Sequence, residues 1–273
     1  MNELLHSIIE IAEQAGNAIL HYYGKEKNEL AIQQKIDKSP LTVADLAAHA
    51  IILQSLKKLT PEIPVLSEEG DIAPFAIRHA WQRYWLVDPL DGTRGFVAGS
   101  ADFTTNIALI ENGKPILGVI YVPVEKNCYY AMRNQGAFKL TAIKKSQSLA
   151  TARFHWDNYR VILGKHLEKS AILQYFENEP GCHIYRHNSS LKFCWIAESK
   201  ADAYPRLGQT GEWDTAAGQC IVEEAGGCVI DFSNVVLSYN TKTSLMNPPF
   251  VALGDPTMAE DILQFIQNKR SNS

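Results

Sequence analysis

Two aspartates three residues apart, Asp88 and Asp91, close an apolar run that begins at Trp85 and lead into Gly92-Thr93. Pro89 lies between them and fixes φ at about −65°, so the spacing predicts a sharp turn after Asp88. Such a turn aims both carboxylates and the Leu90 carbonyl at one point. Oxygen-only ligands suit a hard divalent cation such as Mg²⁺. Gly92 lets the backbone approach an anion closely, and the N–H groups after it can open a helix whose N-terminus attracts phosphate. A cation site and a phosphate cradle on one turn point to metal-assisted phosphoryl chemistry. Asp and Pro are also ordinary turn formers, so a solvated loop has the same local spelling.

Three further acidic features stand at the ends of apolar elements. Glu68 and Glu69 follow the short run at Val65, Asp214 opens a helix within Trp213–Gly218, and Asp45 sits in the first turn of another helix. Each has a plain structural reading as well. Thr42 and Asp45 have capping-box spacing, Asp214 suits an N-cap, and Glu68-Glu69 suits a charged loop tip. Together with Asp88 and Asp91, however, they form a set of carboxylates that could share two or three Mg²⁺ ions.

The elements that must position these groups follow from the apolar pattern. Leu4, Leu5, Ile8, Ile9, Ala12, Ala15, Ile19 and Leu20 recur at helical spacing, and Gly24 supplies a stop. Lys25 to Lys38 is polar and reads as a flexible loop. Residues 42–59 form a second amphipathic helix. Runs at 64–66 and 84–87 read as buried strands. Residues 104–110 and 115–122 pair around Asn112-Gly113, a hairpin signal, and 129–132 extends that sheet. Lys144 to Ala152 is polar with no clear period, and a boundary between residues 1–147 and 148–273 is placed there. The second half alternates: strands at 161–163, 183–185, 203–204 and 229–230, and helices at 168–176, 189–197 and 214–225. That order implies layered sheets and helices.

The 273 residues suffice for one large or two modest domains, and 46% hydrophobic with 21% charged residues is ordinary for a globular chain. A net charge of −4 argues against a general nucleic-acid binder but not against a small polyanion held by local cations. Five widely spaced cysteines with no C-x-x-C pair fit a reducing cytosol. The N-terminus has no signal-peptide pattern, and no apolar run is long enough to span a bilayer. The expected location is cytoplasmic, with a peripheral position on the inner face of the cytoplasmic membrane left open.

Ser67-Glu68-Glu69, Asp88-Pro89-Leu90-Asp91-Gly92-Thr93 and Trp213-Asp214-Thr215-Ala216-Ala217-Gly218 resemble the three signature motifs of the inositol monophosphatase superfamily. Within it the chain is most similar to the bacterial CysQ phosphatases, which are 3′(2′),5′-bisphosphate nucleotidases. Residues 37–45, 80–88, Ser189-Ser190-Leu191-Lys192-Phe193-Cys194 and Ala203-Tyr204-Pro205-Arg206 carry that finer resemblance, which runs from about Leu4 to about Leu253. The resemblance implies an α+β fold, the layered αβαβα sandwich of sugar and inositol phosphatases. It makes residues 1–147 the metal-binding half. Residues 148–273 then supply the nucleotide site and one metal ligand. Glu68, Asp88, Asp91, Asp214 and the Leu90 carbonyl would hold two or three Mg²⁺ ions. Asp88 would lie between two of them, Glu68 on the first and third, and Asp91 and Asp214 on the second.

By the same resemblance, Thr93 and Asp45 position and deprotonate the attacking water. A Thr hydroxyl can donate to a carboxylate and accept from water, so the pair is chemically sensible. The implied substrate is adenosine 3′,5′-bisphosphate, cleaved to AMP and phosphate, with its sulfated form a second candidate, in support of sulfur assimilation. Glu68, Leu90, Asp91, Gly92, Thr93 and Asp214 would face the scissile phosphate. His166, Ser189, Lys192 and Arg206 would hold the remote phosphate and the nucleotide, Arg206 by its bidentate geometry. The resemblance also implies inhibition by Li⁺. Two positions depart from the nucleotidase pattern. Arg94-Gly95 stands where Lys-Glu is common, and Asn188 stands where Gly is common. An inositol or sugar monophosphatase is the competing enzyme. A non-catalytic nucleotide- or RNA-binding regulator is the competing class.

Overall fold

The structure is a computed structural model describing residues 3–26, 28–35, 40–165 and 171–271. Along the chain run α1 (Glu3–Tyr22), β1 (Gln33–Gln34), β2 (Pro40–Leu41), α2 (Val43–Leu59), β3 (Val65–Ser67), α3 (Phe75–Arg78), β4 (Arg83–Asp91), α4 (Thr93–Val97), β5 (Thr104–Glu111), β6 (Lys114–Val122), β7 (Asn127–Met132), β8 (Ala137–Leu140) and β9 (Ser146–Leu149). Then follow β10 (Tyr159–Leu163), α5 (Ala171–Glu177), β11 (Cys182–Arg186), α6 (Leu191–Ala197), β12 (Ala203–Arg206), α7 (Ala216–Glu224), β13 (Cys228–Asp231), β14 (Phe250–Leu253) and α8 (Ala259–Ser271).

Strands β3 to β9 make a seven-stranded sheet in chain order, antiparallel except for β3 beside β4. The second sheet has the order β11-β10-β12-β14-β13, parallel across β11-β10-β12 and antiparallel beyond. The period-2 pattern of β4 shows how the layers are cemented. Trp85 and Val87 face the core under α1 and α2, while Tyr84 and Leu86 face the core against α7. Phe193, Ile196 and Val222 of α6 and α7 pack with Ile162, Val229 and Phe250 of the second sheet. That sheet buries Val161 and Val251 against Ile172 of α5 and Ile262 of α8. The layers are therefore αβαβα, as the resemblance implies. Gly118 makes one contact possible, because a Cβ there would lie 2.5 Å from the Ala217 carbonyl of α7.

Several sequence expectations change in detail. The expected boundary at 147/148 falls within β9, and the passage between sheets follows it. The stretch read as a loop at 25–38 contains β1 paired to β2, and Leu30 is buried in the first core. Residues 212–214 form a 3₁₀ turn, so α7 starts at Ala216 rather than at Asp214. Ser189 precedes α6 with φ +54° and does not begin it.

Candidate active site

Strand β4 does not turn sharply at Pro89. It continues to Asp91 through an irregular register: Asp88 pairs with Asn106 and Asp91 with Thr104, three residues against two. The extra residue is a bulge, which shifts the face of everything after it. Residues three apart in a regular strand face opposite ways, and the bulge turns Asp91 back toward the side of Asp88. The Thr105 hydroxyl donates to the Pro89 carbonyl at 2.9 Å, and the Leu90 N–H donates to Asp88 Oδ1 at 3.0 Å. Gly92 then takes φ +93°, with the Asp102 carbonyl 3.0 Å from where a Cβ would stand, and α4 begins.

Glu68 arrives from the parallel neighbour β3, its N–H donating to the Val87 carbonyl at 3.0 Å. Asp214 arrives from the 3₁₀ turn, where its Oδ2 accepts from the Gly211 N–H at 2.7 Å. Carboxylate oxygens of Glu68, Asp88 and Asp214 lie within 4.8 Å of one another. Burial, and then the neighbouring carboxylates, push Asp88 and Asp214 well above the usual range. Burial also raises Glu68, against the pull of Lys35, whose Nζ lies 2.6 Å from Glu68 and 2.5 Å from Glu69. Three crowded, desolvated, all-oxygen donors fit a hard divalent cation. Asp91 stands apart from that trio. Its Oδ2 accepts from the Ser190 N–H at 2.5 Å and the Ser190 hydroxyl at 2.6 Å.

Asp45 divides its two oxygens between Thr42 and Thr93. Oδ2 accepts from the Thr42 N–H at 2.8 Å and hydroxyl at 2.6 Å, completing the capping box. Oδ1 accepts from the Thr93 hydroxyl at 3.1 Å. That hydroxyl is also 3.0 Å from the Leu90 carbonyl. Burial raises the Asp45 carboxyl, opposed by the bonds from Thr42 and Thr93.

A cavity of about 480 Å³ is lined by Ser189, Lys192 and Arg206 as well as by Glu68, Asp88, Asp91 and Thr93. Lys192 is no surface lysine. Its residue exposure is 5%, its Nζ donates to the Ser189 carbonyl at 2.5 Å and lies 5.1 Å from the Tyr204 ring centre. Burial lowers its ammonium to about 8, partly offset by Asp91. Arg206 donates to the Gln209 carbonyl at 3.2 Å, and its Nε is buried without a partner among the described residues. The expectation for His166 falls outside the described residues.

Sequence reasoning missed the groups that hold these walls. Asn247 Nδ2 donates to the Gly211 carbonyl at 2.7 Å and to the Thr215 hydroxyl at 3.0 Å, clamping the Asp214 turn. The Asn240 N–H donates to Glu212 at 2.8 Å, and the Asn240 side chain pairs reciprocally with Arg78. Asp102 gathers Lys165 at 2.6 Å and His187 at 3.1 Å behind the Ser189 segment. Only Ser190 had a visible signal, inside the Ser-Ser-Leu-Lys motif.

The inositol monophosphatase family profile matches residues 1–269. The 3′(2′),5′-bisphosphate nucleotidase CysQ of Salmonella typhimurium is 42% identical over 247 residues, 90% of this chain and 98% of that protein. The Escherichia coli K12 enzyme of the same name is 40% identical over the same shares. The crystal structure of CysQ from Bacteroides thetaiotaomicron, 36% identical, matches with a TM-score of 0.78 over 91% of this chain and 96% of that one. The Thermotoga maritima IMPase shares the fold at a TM-score of 0.83 and 22% identity, over 99% of both chains. No helix among the described residues is long and apolar enough to cross a membrane.

Proposed function

This chain belongs to the inositol monophosphatase family, and from that premise we propose that it removes the 3′-phosphate of adenosine 3′,5′-bisphosphate, giving AMP and phosphate. The observation that carries the reading is one cavity with an acidic wall of Glu68, Asp88 and Asp214 and a wall holding the buried Lys192. A monophosphate ester needs only the first wall. A bisphosphate needs both, because the acidic side serves the scissile group. The sulfated nucleotide has the same two anionic ends and is a second substrate.

Glu68, Asp88, Asp91, Asp214 and the Leu90 carbonyl would hold two or three Mg²⁺ ions, which would acidify water and neutralise phosphoryl charge. The chain's own residues do the rest. The Thr93 hydroxyl donates to Asp45 Oδ1 and leaves its lone pairs to accept from the attacking water. Asp45, raised by burial, takes the proton through that hydroxyl. Gly92 lets the first turn of α4 come close to the phosphate. Water adds to phosphorus, the bond to the 3′-oxygen breaks in line, and that oxygen leaves as the ribose hydroxyl after taking a proton. Ser189, Lys192 and Arg206 hold the 5′-phosphate, so its binding energy orients the reacting end.

The test is phosphate release from adenosine 3′,5′-bisphosphate, 3′-AMP and inositol 1-phosphate, with and without Mg²⁺. The bisphosphate should far exceed the other two, and only with the cation. Equal kcat/KM for inositol 1-phosphate would move the assignment to the monophosphatase. No turnover of any ester would leave the non-catalytic regulator.

A further inference from the structure

Asn188 and Gly95, the positions where the sequence leaves the nucleotidase pattern, face each other across the edge of the cavity. A Cβ on Gly95 would lie 3.0 Å from Asn188 Nδ2. Gly95, having no side chain, leaves room beside that nitrogen. Asn188 is nine-tenths buried, lines the cavity and is held in one orientation. Its backbone N–H donates to Asp102 Oδ2 at 3.4 Å, and its Oδ1 accepts from the Lys165 N–H at 3.3 Å. Asp102 is fixed in turn by Lys165 Nζ and His187 Nδ1. With Oδ1 committed to Lys165, the amide nitrogen turns toward the first turn of α4. There Nδ2 is buried and has no acceptor among the described residues.

A buried donor without a partner is costly, and native structures rarely keep one idle. Gly92, Thr93, Arg94 and Ser189, close in the chain to Gly95 or Asn188, also line the cavity. An anionic oxygen is the acceptor that such a corner recruits. We propose that the Asn188 carboxamide is a specificity-determining contact of this site, donating from Nδ2 to a phosphate oxygen of the substrate in the space that Gly95 leaves open. The proposal rests on the phosphatase reading of the cavity.

The experiment measures KM for adenosine 3′,5′-bisphosphate with Mg²⁺ present, and competitive inhibition by inorganic phosphate, AMP and adenosine. The variants are Asn188→Ala, Asn188→Asp and Gly95→Ala, each checked for an unchanged melting temperature. Asn188→Ala should raise KM roughly tenfold, the worth of one hydrogen bond to a charged acceptor, with kcat falling less than threefold. Asn188→Asp keeps the shape but cannot donate, and should do at least as much harm. Gly95→Ala should act in the same direction, and should add nothing to Asn188→Ala in the double variant. Weaker inhibition by inorganic phosphate places the contact at the scissile phosphate; weaker inhibition by AMP alone places it at the 5′-phosphate. If adenosine weakens equally, the contact is to the nucleoside and the proposal falls. It falls as well if all three constants stay within twofold, or if Asn188→Ala lowers kcat and melting temperature together. If the bisphosphate is not turned over while another ester is, the nucleotidase reading fails alone, and inhibition by inorganic phosphate still tests Asn188.

Discussion

The two walls of the cavity are built on opposite electrostatic terms. On the acidic wall, Asp88 and Asp214 are desolvated among like charges and pushed well above the usual carboxylate range. Strand pairing, the β4 bulge and the Asn247 clamp hold them there against their own repulsion. On the other wall, Lys192 is equally buried, yet it rests on a carbonyl and an aromatic ring, and Asp91 favours its charge. Beyond burial, the first wall crowds groups that disfavour one another's charge, whereas on the second Asp91 favours the charge of Lys192. Changes on the first should therefore exchange stability for activity. Changes on the second should alter which substrate is preferred.

The sharpest way to break that comparison is Asp88→Asn. Turnover should disappear, because a ligand charge central to the trio is gone. In a chelator the variant should melt higher than the parent, since one of three crowded carboxylates no longer repels the others. Adding Mg²⁺ should raise its melting temperature less than it raises the parent's. Near-normal activity with ordinary Mg²⁺ would refute the assignment. A lower melting temperature in chelator would refute the repulsion.

The next largest effects separate the two oxygens of Asp45. Thr93→Ala removes the bond to Oδ1 and leaves the capping box intact. It should lower kcat by roughly 10²-fold, the worth of general-base assistance, at little cost in melting temperature. Asp45→Asn should lose a similar factor in kcat and also weaken the cap of α2, by about 1 kcal/mol. Were both variants to melt early with kcat preserved, the cap alone would explain Asp45.

This pair shows what the sequence makes legible. The spellings at 42–45 and 88–93 carry the Thr42–Asp45 cap and the Asp88–Asp91 pair, since each depends on a few neighbouring residues. Pro89 predicts a sharp turn where β4 continues through a bulge, because Pro89 dictates φ but the ladder to β5 decides whether the strand continues. The burial of Lys192 has no signal in its own motif, because its ammonium rests on Tyr204, distant in the chain, and on the Ser189 carbonyl. Strand β14 was missed because four residues buried on both faces carry no period. Asn240, Asn247 and Asp102 were invisible for a similar reason, as their partners lie on elements that only the fold brings together.

On the second wall, Lys192→Met keeps the buried stem and removes the charge. KM for adenosine 3′,5′-bisphosphate should rise roughly tenfold, the order expected for one charge-assisted contact. Constants for 3′-AMP should change little, because that ester has no remote phosphate to lose. Equal damage to both substrates would mean that Lys192 supports packing rather than recognition.

The smallest effect is the most diagnostic of burial. Burial lowers the Lys192 ammonium to about 8, so it carries its charge below that pH and loses it above. The phosphate partner does not titrate in this window, its second pKa being about 6. The KM for the bisphosphate should therefore be nearly flat between pH 7 and about 7.5, double near pH 8 and keep rising, while 3′-AMP supplies the control. Dividing one KM by the other cancels pH effects on the acidic wall, which both substrates share. The ratio should bend near pH 8 in the parent and lose that bend in Lys192→Met. A ratio flat through pH 9 in the parent would mean that Lys192 keeps its charge despite its burial, and the contrast between the walls would lose its second half.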